Sequence, residues 1–185
     1  MERNSAQTID AVLILDADGE RILSKYYIPK FSNLSVQQKF EKNLFAKTGR
    51  TFTRQDEDII LFENHVVVFR AVSDVFVYIL GPSSGNEMLL SCALSGFVDA
   101  LDALLGTRGV VLDKHTLFNY YDQLALTVDE LVDRGILLET DGSMLCSNTN
   151  VASHPENSLG GGIGDRGDKP SVPQALRFLQ SRFAK

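Results

Sequence analysis

Two neighbouring segments that are apolar at every position constrain the fold of this chain more than any other feature. Residues 66–69 are Val-Val-Val-Phe, and residues 75–80 are Val-Phe-Val-Tyr-Ile-Leu. Because successive side chains of a strand point to opposite faces of its sheet, a strand that is apolar at both parities needs cover on both faces. The sequence therefore predicts a sheet that lies between two layers of helices.

Turn residues and apolar patterns divide the rest of the sheet into short strands. The predicted strands are residues 9–15, 21–28, 58–63, 65–72 and 74–80. The first two flank Asp16-Ala-Asp-Gly-Glu20, a turn in which Gly19 can supply the positive φ of a tight hairpin. The last three follow one another with almost no intervening residues, which indicates antiparallel neighbours. The sequence thus predicts a hairpin followed by a three-stranded meander.

Caps and apolar spacing predict three helices. Ser35 and Gln38 form a capping box for a first helix, which Gly49 ends. A second and strongly apolar helix covers residues 86–105, and a third covers residues 113–134. The order β-β-α-β-β-β-α-α predicts an α+β fold with a five-stranded, mostly antiparallel sheet and helices on both faces.

The glycine-rich end of the chain differs from the rest. Residues 142–185 hold six of the fourteen glycines. Residues 143–171 have no sustained apolar period, so they cannot bury enough apolar surface to offset the entropy of ordering. We therefore predict a folded domain over residues 1–141 and a flexible tail over residues 142–185, with a possible short helix at 173–184 that a proline opens.

Composition and charge exclude several classes of function. The formal net charge is −6 and no run of Lys or Arg forms a stripe, which argues against nucleic acid or an anionic membrane bound by charge alone. The two Cys and three His lack metal-ligand spacing, so no metal or cofactor is predicted. The polar N-terminus has no targeting pattern, and no apolar run reaches the roughly 18 residues of a membrane span. We expect a cytoplasmic protein.

One segment resembles an enzyme motif. The strand that ends in Asp16-Ala-Asp18-Gly resembles the first motif of haloacid-dehalogenase-type phosphatases, in which the first Asp attacks phosphorus beside Mg²⁺. Glu20 stands where that motif has Thr or Val, the chain turns straight back into another strand, and the later Lys and acidic pair are not found. We interpret Asp16 and Asp18 as turn residues that bond the local backbone, with a Mg²⁺-dependent phosphatase as a remote alternative. The chain is not expected to be an enzyme.

Residues 106–141 carry a resemblance to a known family. The motifs that carry it are Phe118-Asn-Tyr-Tyr121, Asp129-Glu130, Gly135 and Glu139-Thr140. In this combination the segment resembles the zeta subunits of coatomer and, more loosely, the sigma small subunits of clathrin adaptors. With the strand at 9–15 and the Arg70-Ala-Val-Ser-Asp74 crossing, the resemblance covers about residues 8–141.

The resemblance implies a longin fold, whose order of elements is the one predicted above from the residues. It also implies a non-enzymatic small subunit of the COPI vesicle coat, clasped by the solenoid trunk of the gamma subunit. Such a subunit reaches Golgi membranes indirectly, because other coat subunits and a small GTPase make most of the membrane and cargo contacts. The chain would then complete and stabilise the gamma arm of the coat.

The sigma subunits provide the alternative function, because they bind acidic dileucine cargo signals. Residues 88–97 are mostly apolar here, whereas the sigma subunits have a more polar and charged stretch at that place. The long glycine-rich tail also departs from the sigma pattern. No cargo-binding residues are therefore carried over to this chain.

The helix at 86–105 is apolar around most of its circumference, which indicates burial on nearly all sides. Either the sheet and the following helix cover it, or an obligate partner covers part of it. We expect Leu89, Leu101 and Leu105 to face outward, away from the stripe of Leu90, Leu94 and Phe97 that lies on the sheet. These three residues, with Tyr120 from the family motif, are the predicted partner-interface candidates.

Overall fold

The computed structural model describes residues 8–49 and 57–153. The strands are β1 (Ala11–Asp16), β2 (Arg21–Tyr26), β3 (Asp58–Phe62), β4 (His65–Val72), β5 (Val75–Pro82), β6 (Val132–Asp133) and β7 (Ile136–Leu137). The helices are α1 (Leu34–Thr48), α2 (Glu87–Gly106), α3 (Lys114–Asn119), α4 (Tyr121–Leu131) and α5 (Gly142–Ser153), and a 3₁₀ turn at Pro29–Phe31 precedes α1.

Five strands form one antiparallel sheet in the order β2-β1-β5-β4-β3. The β1–β2 turn contains Gly19 with φ of 81°, as the sequence predicts. The β3–β4 turn places Glu63 and Asn64 at φ of 45° and 70°, which fits a two-residue hairpin turn. The α+β fold with its five-stranded sheet is therefore confirmed. The short β6 and β7 pair as a separate ribbon.

The sheet is covered on both faces, as its apolar strands predict. On one face, β4 and β5 place Phe69, Phe76 and Tyr78 under α1, whose Phe40 and Leu44 are buried. On the other face, aliphatic side chains of the same strands lie under α2 and α4 in a larger cluster. The alternation of the strands thus gives one aromatic core layer and one aliphatic core layer.

Two predicted helix boundaries differ from the structure. Asn33, not Ser35, caps α1, because its side-chain oxygen accepts a hydrogen bond from the Ser35 N–H at 2.9 Å. The helix predicted over 113–134 is broken at Tyr120, where φ is −114° and ψ is 32°. This break separates α3 from α4 and lets the chain turn within the Phe118–Tyr121 motif.

The predicted flexible tail begins too early. Residues Gly142–Ser153 form α5, and the Asp141 carboxylate caps it by accepting hydrogen bonds from the N–H groups of Ser143 and Met144. Apolar periodicity does not predict this helix, because its fully buried side chains are those of Leu145 and of a polar residue, Thr149, which form no apolar repeat. The remaining predicted tail, including the helix at 173–184, lies outside the described residues.

The helix α2 is long and apolar enough to span a membrane by length and composition, contrary to the expectation that no segment is. In the structure, however, it is the central helix of the core. Ten of its residues are buried, against the sheet on one side and against α4 and α5 on the others. A core helix of a folded domain accounts for its composition.

Candidate partner interface

Two of the four predicted interface residues lie inside the core of the chain itself. Leu101 is 2% exposed and Leu105 is 3% exposed, and both belong to the aliphatic cluster. The prediction that they face outward is therefore wrong. At 100° per residue they lie only about 20° and about 60° from Leu90, so they belong to the same apolar stripe as Leu90, Leu94 and Phe97. The other side of the helix is covered by a second layer of helices.

That second layer consists of α4 and α5, and glycine permits its close approach to α2. A Cβ built on Gly96 would overlap the carbonyl oxygen of Thr140, just before α5. A Cβ on Gly142 would lie 2.8 Å from the Cβ of Asp99. Because real Cβ atoms are not found so close, both positions require glycine. The chain thus brings α5 against α2 and buries Leu145 there.

The other two candidates, Leu89 and Tyr120, are half-buried and lie in different places. Leu89 is in the first turn of α2, whereas the ring of Tyr120 packs under the guanidinium of Arg108, which follows the C-terminus of that helix. A helix of twenty residues is about 30 Å long, so the two residues do not form one site.

The break between α3 and α4 exposes aromatic side chains, and we call Phe118, Tyr120 and Tyr121 the junction patch. Phe118 and Tyr121 are exposed beside a shallow pocket of about 250 Å³ lined by residues 118–123. Within residues 8–49 and 57–153, no side chain caps the first turn of α4, and the buried Gln123 Oε1 has no hydrogen-bond partner. An exposed aromatic surface is typical of a protein-binding surface.

The Asp16 carboxylate acts in the hairpin turn, as predicted. Its Oδ1 accepts hydrogen bonds from the N–H groups of Asp18 and Glu20, at 2.9 and 2.8 Å. Its Oδ2 accepts from the Nζ of Lys114 at 2.6 Å. Burial raises the pKa of Asp16, but the Lys114 ammonium and the two N–H groups together bring that pKa below its ordinary value.

Lys114 is the basic residue near Asp16 that the sequence analysis did not find, and it lies 98 positions further along the chain. Its backbone N–H donates to Asp74 Oδ1 at 2.8 Å, so α3 is tied to the β4–β5 turn as well. Both carboxylate oxygens of Asp16 are thus engaged by the protein. Within residues 8–49 and 57–153, no group of three or more His, Cys, Asp or Glu is placed to hold a metal ion.

Asp10, His65 and Lys30 form a polar chain that no local sequence pattern predicts, in which Asp10 and His65 are buried and Lys30 is exposed. His65 Nδ1 lies 2.7 Å from Asp10 Oδ2, and Lys30 Nζ lies 3.2 Å from His65 Nε2. Since an ammonium can only donate, Nε2 accepts and the Nδ1–H donates to the carboxylate. These residues join the start of β1, the 3₁₀ turn and β4, so the chain of bonds is structural.

Glu41 joins α1 to the first hairpin in a similar way. Its buried carboxylate accepts from Arg21 Nε and Nη2 at 3.0 and 2.7 Å, and from the Tyr26 hydroxyl at 2.7 Å. Burial and this carboxylate both raise the pKa of Tyr26. The adjacent cleft of about 380 Å³ between the hairpin turn and α1 is lined by charged side chains, of which Arg21 and Glu41 are paired with each other.

The chain matches the family model of the clathrin adaptor complex small chain over residues 8–155. Coatomer subunit zeta of Saccharomyces cerevisiae is 35% identical over 167 residues, which are 85% of this chain and 84% of the relative. Coatomer subunit zeta-1 of Homo sapiens is 39% identical over 137 residues, covering 74% and 73%. The chain belongs to the coatomer zeta family. Coatomer subunit zeta-1 of Oryza sativa subsp. japonica is a further relative, 34% identical over 80% of this chain and 81% of its own length.

The zeta family assignment agrees with a structural likeness. A chain of the homology model of the full-length AP-3 complex in a stretched open conformation aligns with a TM-score of 0.60 and 15% identity. The alignment covers 81% of this chain and 96% of the other, and it supports the longin-like fold. The family match to residue 155 includes α5, which the sequence analysis had assigned to the tail.

Proposed function

We propose that this chain is the non-enzymatic small subunit of a COPI vesicle coat, held by the solenoid trunk of the gamma subunit. The observation that carries the proposal is the 34–39% identity to rice, yeast and human zeta subunits across the folded unit. In this role the chain is cytoplasmic and associates with Golgi membranes and coated vesicles through its partners. It needs no cofactor and binds no nucleic acid.

The junction patch supports the proposal as a contact surface. Phe118 and Tyr121 are exposed although they are large and apolar, and aromatic residues are enriched at the centres of protein interfaces. The Tyr120 ring is held in place at the patch by its contact with the Arg108 guanidinium. Of the predicted interface residues, Tyr120 and Leu89 remain candidates for direct contact, and Leu101 and Leu105 act through the core.

The adaptor sigma function is the alternative. It requires a surface for acidic dileucine peptides. The relatives reported above are zeta subunits, and this favours the coatomer function. The phosphatase alternative is weakened by Asp16, whose two carboxylate oxygens are engaged by Lys114 and the turn backbone.

Co-expression of the full chain with a gamma-subunit trunk tests the proposal. We expect a stable one-to-one complex in size-exclusion chromatography with light scattering, and no retention of a dileucine peptide. Phe118→Ser with Tyr121→Ser should weaken the complex at least tenfold, while the control Ile136→Ser, on the exposed β7, should leave it unchanged. Failure of the wild-type chain to bind the trunk, with retention of the dileucine peptide, would contradict the coatomer function.

A further inference from the structure

The outer edge of β3 directs backbone hydrogen-bonding groups away from the sheet. The β3–β4 turn is a two-residue hairpin, and Phe62 pairs with His65 next to it. In such a hairpin the pair beside the turn is hydrogen-bonded, and bonded and non-bonded pairs then alternate along the ladder. The N–H and C=O groups of Ile59 and Leu61 therefore point away from β4, which is the neighbour of β3 in this sheet.

One contact confirms this direction. Lys47 Nζ, on α1, donates to the Leu61 carbonyl oxygen at 3.3 Å, so that carbonyl faces the open side of the strand. Among residues 8–49 and 57–153, no hydrogen bond is found to the other three of these four backbone groups. A single flexible lysine side chain gives the edge little protection against pairing with another strand.

The side chains at this edge are apolar and exposed. Ile59 is 46% exposed and Leu61 is 64% exposed. They pair with the buried Val68 and Val66, so they lie on the α2 side of the sheet, next to the aliphatic core. An apolar edge strand with free backbone groups is a template for pairing with an extended chain.

The acidic side chains at the two ends of β3 determine which kind of strand can pair with its outer edge. If two copies of this chain paired Ile59 with Leu61 about a twofold axis, Glu57 of one copy would lie opposite Glu63 of the other, at both ends of the pairing. Like charges directly opposite each other on neighbouring strands are destabilising. A strand with Lys or Arg at its ends would instead place opposite charges there, so a second copy fits worse than a basic partner.

We propose that the outer edge of β3 binds an extended segment of another protein as a sixth strand. The segment carries alternating apolar side chains beside Ile59 and Leu61, and Lys or Arg residues near Glu57 and Glu63. This inference goes beyond the proposed coat function, which concerns the junction patch, and it does not depend on that function.

Nuclear magnetic resonance on the full chain tests the inference. The probe is a synthetic seven-residue peptide with Lys at both ends, Val at the third and fifth positions and Thr between them, so that Lys and Val share one face of the added strand. We expect saturable binding and at least tenfold slower amide exchange at Ile59 and Leu61, with unchanged exchange at the amides of β2, the opposite edge. The same peptide with Glu in place of both Lys residues should bind at least tenfold more weakly. Binding of the two peptides with equal affinity would overturn the charge argument.

Backbone variants separate strand addition from contact through side chains alone. Leu61→Pro removes an N–H group that is not bonded to β4, and it should reduce affinity at least tenfold. Leu61→Thr keeps that group, and it should reduce affinity less than threefold. If Leu61→Pro fails to fold, peptides that are N-methylated at alternate residues replace it. Methylation at one parity should then abolish binding, whereas methylation at the other should be tolerated.

Three results would overturn the inference. In the first, methylation at either parity has the same effect, which means that no ladder forms. In the second, Ile59 and Leu61 are already protected in the free chain, which means that the edge is paired without a partner. In the third, the free chain dimerises in sedimentation and Leu61→Pro abolishes the dimer, which identifies a second copy as the occupant.

Discussion

The two apolar faces of the sheet are covered in different ways. On one face, within the part of the chain that the structure describes, α1 and the 3₁₀ turn before it cover an aromatic layer, and the outer side of α1 carries the exposed Leu34 and Val36. On the other face, α2 covers an aliphatic layer and is itself covered by α4 and α5. A helix with one apolar stripe marks a single layer, and a helix that is apolar all round marks a second layer above it.

The largest expected effect is the loss of folding in Leu101→Asp, because it places a charge in the buried aliphatic cluster that α2 shares with the sheet. Burial of an unpaired carboxylate and loss of the leucine packing together cost about 4 kcal/mol or more. The matched substitution on the single-layer face, Val36→Asp, should change stability by less than about 0.5 kcal/mol. Urea unfolding followed by circular dichroism measures both. A folded and monomeric Leu101→Asp chain would show that this side of α2 is not part of an essential core.

Removal of α5 should have the next largest effect. Truncation after Asp141 takes away Leu145 and uncovers apolar surface on α2 and α4, so we expect a loss of about 3 kcal/mol. Truncation after Pro155 keeps α5 and should shift the melting temperature by only a few degrees. Equal melting temperatures for the two shortened chains would contradict a structural role for α5.

A smaller loss of stability is expected from Gly96→Ala, which tests how closely α5 packs against α2. Gly96→Ala places a Cβ against the Thr140 carbonyl, and relief of this overlap should cost roughly 1–3 kcal/mol. Gly106→Ala, at the last position of the same helix, meets nothing within 4 Å and should be neutral or stabilising. Thermal unfolding of both variants compares them directly. A neutral Gly96→Ala would mean that α5 can move away from α2 at little cost.

The sequence predicts the two-layer cover of the sheet because both parities of β4 and β5 are apolar, and that pattern is local. It does not predict what covers α2. The outer helix α5 buries Leu145 beside Thr149, whose hydroxyl donates to the Leu145 carbonyl at 2.8 Å and lies 3.3 Å from the Thr127 hydroxyl. A buried threonine that bonds to its own helix and packs against another threonine leaves no apolar period in the sequence.

The sequence also does not predict the polar contacts between residues that are far apart in the chain, for a different reason. Lys114 and Asp16 are 98 residues apart, and His65 and Asp10 are 55 apart. Only the topology of the sheet brings these partners together. By contrast, the turn role of Asp16 depends on residues within four positions of it, and the sequence predicts that role correctly.

The smallest expected effect concerns Asp16, at the edge of both core layers. Since the pKa of folded Asp16 is lowered, its contribution to stability is complete above the ordinary value of 3.8 and is lost as the pH falls through the lower folded value. Asp16→Asn should therefore lower the melting temperature at pH 7 by a few degrees and have less effect at pH 3. An equal shift at both pH values would show that the charge of Asp16 does not matter.

Hydrogen exchange of the isolated full chain tests most directly whether the chain itself covers α2. If α4 and α5 form the outer layer, the amides of Gly96 and Ala100, which face the start of α5, should be protected as strongly as those of β5, because both open only on global unfolding. Addition of a gamma-subunit trunk should then leave their exchange unchanged. Fast exchange of these amides in the isolated chain, with protection only in the presence of the trunk, would contradict the account and return this side of α2 to a partner.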